Sequence, residues 1–126
     1  MNVNRHYVTI VFRFLLAVTL VFISWQATIK DGIAVPVANS DKGLHFLAFY
    51  TLALLLDFSF PRIRFGLFKI LILISYGILI EFIQSFIPYR SAELADLFTD
   101  IVGICAYAGT LPLLRHFSLY QAYRQL

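Results

Sequence analysis

Four long apolar stretches, each broken or bordered by ionisable residues, constrain this chain more than any other feature. From Val8 to Ile29 the sole charge is Arg13, and at about 1.5 Å per helical residue such a run crosses a hydrocarbon core of roughly 30 Å. Comparable runs lie at about 43–60, 65–87 and 94–114. With 60% hydrophobic and 13% charged residues, the chain carries more apolar surface than a soluble domain of its length buries. The sequence therefore predicts one all-α membrane domain over 1–126, a four-helix transmembrane bundle with short connections. Arg5 and His6 before the first run also suit a signal peptide, but Trp25 to Lys30 lacks the small residues of a cleavage site, so the run is read as an anchor.

Punctuation agrees with these limits. The segment from Lys30 to Asn39 contains Gly32 and Pro36 and reads as a loop, after which Ser40 or Asp41 caps the second helix. Pro61 ends that helix, Pro88 closes the third, and Ser91 is the expected cap of the fourth, whose last turn holds Pro112. The tail from Arg115 to Leu126 is polar and aromatic and is expected to lie on the membrane surface. The lone cysteine, Cys105, excludes an internal disulfide.

Charge sets the orientation. With both termini cytoplasmic, Arg5, Arg13, Arg62, Arg64, Lys69, Arg115 and Arg124 collect on the inner side, against Lys30, Lys42 and Arg90 outside. That is the positive-inside pattern. The net charge of +3 is dispersed between apolar segments, leaving no basic face for a nucleic acid backbone.

In this orientation the polar residues of three segments converge. Asp41 and His45 open the second helix, Glu81 and Gln84 close the third, and Asp96 and Asp100 open the fourth, all toward the outside. Spacings of three and four residues put each set on one face, and Asp96, Asp100, Gly103 and Tyr107 share a single stripe. Arg90, on the intervening loop, is the cation expected to fold over these carboxylates. Polar side chains at helix ends also serve as interhelical glue, worth about 0.6 to 2 kcal/mol each. An ionised side chain deep in a helix costs about 2.5 to 3.5 kcal/mol on insertion scales, so so many acids point to a site rather than to glue. Asp57, by contrast, is expected to pair locally with Arg62 or Arg64.

The ordered elements Asp41-Lys42-x-x-His45, Glu81-x-x-Gln84, Arg90 and Asp96 with Gly103 resemble the VanZ-like family of small bacterial membrane proteins, over about 41–109. The sequence departs at Asp100, where the family pattern usually has Asn, which adds a negative charge. The family takes its name from a protein associated with resistance to the glycopeptide antibiotic teicoplanin. The resemblance implies a bacterial cytoplasmic membrane protein acting on or near envelope glycan or lipid precursors.

Three functions follow as expectations. The first is an outward-facing pocket, formed by Asp41, His45, Glu81, Gln84, Arg90, Asp96 and Asp100, that binds an amphipathic envelope molecule: a lipid-linked precursor or a lipid-tailed glycopeptide. The second is a membrane hydrolase or transferase using Glu81 or Asp96 with His45 as acid and base, with or without a divalent ion. The third is an assembly role, with a second copy of the chain or another membrane protein as partner. Asp41 and His45 are spaced as metal ligands are, but with no cysteine or second histidine beside them the sequence assigns no metal and no cofactor.

Overall fold

A computed structural model describes residues 4–30 and 40–125, without the side chains of Ser40, Asp41 and Gln125. Asp41, expected among the pocket residues, and most of the Lys30 to Asn39 loop thus fall outside the described part. The described residues form five α-helices and no strand: α1 (Arg5–Thr28), α2 (Ser40–Ser59), α3 (Leu67–Ser85), α4 (Leu94–Leu114) and α5 (Ser118–Gln125).

Helix ends follow local chemistry. α1 starts earlier than its apolar run because the Asn4 side chain accepts from the His6 amide at 3.2 Å, capping the first turn. α3 begins after Gly66 and stops at Ser85, short of the expected limit. Ile87 precedes Pro88, and the residue before a proline is pushed out of the helical region. α4 has the expected limits, but Glu93 rather than Ser91 occupies its N-cap, with no side-chain capping bond.

α1, α3 and α4 are long and apolar enough to cross a membrane. α2 is not among these candidates, and it lies inside the bundle. It packs mainly on α4 and α1, with α3 alongside, and its Phe49, Leu52 and Ala53 join Leu73, Ile104 and Tyr107 in the buried core. A helix wrapped by its neighbours can carry polar groups that a lipid-facing helix cannot. α1 buries no residue, and its exposed Phe14, Val18 and Val21 form an outer apolar face.

Gly103 sets the closest approach. A Cβ there would lie 2.5 Å from the Phe46 carbonyl oxygen and 3.2 Å from the Tyr50 nitrogen, so the α2 and α4 backbones touch. Small residues permit such contact between membrane helices.

The tail forms a helix. As α5 it docks on the bundle: Tyr123 is 4% exposed, its hydroxyl donates to the Phe58 carbonyl, and its ring stacks on Phe58 at 5.6 Å between centroids.

Candidate functional site

α1 and α3 end at the pole of the bundle where α2 and α4 begin, and this pole holds the polar residues read from the sequence. His45 of α2 lies at the centre. Its Nδ1 is 2.8 Å from Asp100 Oδ1, and its Nε2 is 3.9 Å from Asp96 Oδ2. His45, Glu81 and Asp96 each offer a ligand atom within 4.8 Å of the other two. α2, α3 and α4 therefore contribute one group each. An ionised carboxylate only accepts hydrogen bonds, so beside ionised Asp100 the Nδ1 atom is the donor and Nε2 faces the other two acids.

Several polar groups here sit deep. Asp100 is 1% exposed and Gln84 5% exposed. Glu81 Oε2 accepts from the Glu93 amide at 3.1 Å, whereas Glu81 Oε1, Gln84 Oε1 and Asp100 Oδ2 are buried with no partner among the described residues. Asp100 Oδ2 faces Gly77, where a Cβ would stand 3.2 Å from it. Buried polar atoms are normally satisfied, so three such oxygens at one pole set this place apart from the rest of the bundle.

Arg90 is placed otherwise than expected. It does not fold over the carboxylates: Nη2 donates to the carbonyls of Gln26 at 2.6 Å and Ile29 at 2.5 Å, and Nε to Ile29 at 3.0 Å. Gln84 Nε2 donates to the Ala27 carbonyl at 3.0 Å and the Tyr89 hydroxyl to that of Thr28 at 2.6 Å. Together they satisfy the open carbonyls at the end of α1, and the arginine also meets the negative end of its dipole. Arg90→Ala is expected to lower stability by about 1–2 kcal/mol through loss of this cap; thermal unfolding of the detergent-purified protein measures it, and an unchanged midpoint would remove Arg90 from the fastening of α1.

This fastening leaves a cleft of about 340 Å³ between α1, α2 and α3. Ile23, Leu44, Ala48 and Ile80 form its apolar walls, while His45, Gln84 and Arg90 close its polar end. The cleft and the carboxylate cluster share His45.

At the opposite pole the partners of Asp57 also differ from those expected. Asp57 is 0% exposed and Lys69 2% exposed. Asp57 Oδ1 receives Lys69 Nζ at 2.8 Å and a guanidinium nitrogen of Arg124, and Oδ2 accepts from the Tyr107 hydroxyl at 2.6 Å. Lys69 Nζ also reaches the carbonyls of Ile63 at 2.7 Å and Phe60 at 3.1 Å. Arg62 and Arg64 are not among these partners. Burial alone would lower the pKa of Arg124, but its hydrogen bond to Asp57 and the charge there outweigh burial and hold it above the ordinary value. A lysine in the apolar run of α3 was the available sequence signal, because a charge at that position calls for a partner.

The family model described as VanZ/LLP1 matches residues 2–115, a stretch that takes in α1 as well as the segment carrying the motifs. An uncharacterized protein of the fission yeast Schizosaccharomyces pombe is 33% identical over 104 residues, covering 80% of this chain and 64% of that protein. The chain thus spans less than two thirds of the length of this relative. No solved structure matches the chain.

Proposed function

The chain belongs to the VanZ/LLP1 family, and from that premise we propose that it is a multi-pass membrane protein whose cleft binds an amphipathic molecule of the cell envelope. The observation that carries this reading is the shape of the cleft: apolar walls ending at His45, Gln84 and Arg90. An acyl or polyprenyl chain suits the walls. A hydroxylated or amine-bearing head suits the polar end, where the buried Gln84 Oε1 lacks a donor.

In this reading α2 is the fourth span, both termini are cytoplasmic, and the cluster faces outward in a cytoplasmic membrane. The excess of Arg and Lys at the opposite ends of the helices supports that orientation. Likeness to a yeast protein favours a lipid-linked ligand over a glycopeptide antibiotic, since lipids with polar heads occur in both settings.

Native mass spectrometry of the detergent-purified protein tests the proposal. Wild type is expected to carry a co-purified lipid adduct, and Ala48→Phe, which fills the cleft, is expected to reduce its occupancy at least about tenfold while keeping the same oligomeric state. Bare wild-type protein, or an adduct indifferent to Ala48→Phe, would refute cleft binding.

The His45–Asp100 pair favours a second reading, a membrane hydrolase or transferase in which His45 Nε2 exchanges a proton beside Glu81 and Asp96. A binder and an enzyme separate on His45→Gln with the same lipids. An enzyme would accumulate unreacted adduct and lose product, whereas a binder yields one adduct species in both proteins.

A further inference from the structure

The geometry points to a divalent cation site formed by His45, Glu81 and Asp96. The three groups come from α2, α3 and α4 and offer ligand atoms within 4.8 Å of one another. Donors bound to one Zn²⁺ at about 2.0–2.2 Å stand roughly 3.4 Å apart in a tetrahedral shell. The separations here, 3.9 Å between His45 Nε2 and Asp96 Oδ2 and within 4.8 Å across the triad, are wider than that, so binding an ion draws the three side chains together.

Two further features separate this cluster from acids that merely lie near one another. Asp100, which is 1% exposed, holds His45 Nδ1 at 2.8 Å. With Nδ1 as the donor, that contact orients the ring so that the Nε2 lone pair lies on the side of Asp96, the carboxylate–histidine–metal arrangement seen where a protein orients a ligating imidazole. The other Asp100 oxygen, Oδ2, stays buried without a partner in the seam beneath Glu81, where Gly77 has no side chain. Glu81 is divided in the same way: Oε2 accepts from the Glu93 amide, and Oε1 is buried without a partner.

The charge balance agrees. Glu81, Asp96 and Asp100 bring negative charge to one buried seam, while Arg90 spends its donors on the carbonyls of α1 and Lys42 reaches Glu93 at 3.6 Å. A divalent ion neutralises most of that charge. One imidazole with two carboxylates suits Zn²⁺ or Mn²⁺ rather than Mg²⁺ or Ca²⁺, which take oxygen ligands. Three protein ligands leave a coordination position for water or another group, and of the three His45 also lines the cleft.

The test uses the full chain in detergent, stripped with EDTA and titrated with Zn²⁺, Mn²⁺ and Mg²⁺ alone, so it does not depend on what occupies the cleft. Zn²⁺ or Mn²⁺ is expected to bind one to one and Mg²⁺ at least about tenfold more weakly. His45→Ala, Glu81→Gln and Asp96→Asn should each weaken binding by more than about 100-fold, and Asp100→Asn by about 10- to 100-fold. Glu93→Gln, which leaves the triad intact, should hold affinity within about twofold. If a triad variant fails to fold, Co²⁺ in the wild type decides: the intense visible bands of low-coordinate Co²⁺, well above those of the aqueous ion and saturating at one equivalent, support the site, and their absence overturns it. No wild-type binding, or binding unmoved by every triad substitution, also overturns it.

Discussion

Asp57→Asn is expected to destabilise the bundle by about 3–5 kcal/mol, a larger loss than removal of any of its hydrogen bonds alone would produce. The carboxylate is 0% exposed and holds Lys69, Arg124 and Tyr107 at once. Asparagine keeps an acceptor for the tyrosine hydroxyl but removes the negative charge, leaving the ammonium of a lysine 2% exposed beside a guanidinium. An uncompensated buried charge is what makes such a break severe, whereas removing both charges together is far milder. The double variant Asp57→Asn/Lys69→Met should therefore recover more than half of the loss. Thermal unfolding followed by size-exclusion of the detergent-solubilised protein reads both. A single variant as stable as wild type, or a double variant worse than the single, would show that the charges do not act as a pair.

The second large effect is expected at Gly103. Gly103→Val should cost about 3 kcal/mol or more, because its Cβ would meet the Phe46 carbonyl at 2.5 Å and neither atom belongs to a flexible side chain. α4 has to move off α2, and His45 and Asp100, on the same two helices, separate with them. The proposed metal and lipid binding should fall together with stability. Gly109, on the same helix, has nothing within 4 Å of a Cβ. There Gly→Ala should be neutral or stabilising by up to about 1 kcal/mol, since alanine is the better helix former. Equal effects at the two glycines would show that backbone contact between α2 and α4 is not what Gly103 provides.

The long helices were legible from hydropathy, because a run of apolar residues of spanning length has few other ways to satisfy its backbone. The convergence of His45, Glu81, Gln84, Asp96 and Asp100 was legible too, since helical spacing and antiparallel order put them at one pole. The destination of Arg90 was not. Opposite charges in a loop suggest a salt bridge, whereas the arginine meets the equally real demand of open carbonyls at the end of α1. The partners of Asp57 are not legible in the sequence either, because tertiary packing alone brings Lys69, Tyr107 and Arg124 near it, while Arg62 and Arg64 are its neighbours in the chain. α5 is hard to read because eight residues with little apolar content give a weak helical signal until they dock.

The Asp57 cluster also fixes an order of events during synthesis. Every side chain that satisfies this aspartate lies later in the chain: Lys69 by 12 residues, Tyr107 by 50, and Arg124 further still. At about 5–20 residues per second, α2 waits roughly 3–10 seconds between translation of its aspartate and arrival of the tyrosine. Lys69 follows soonest and can pair with the aspartate first, so the set of partners is complete only once α5 has been made.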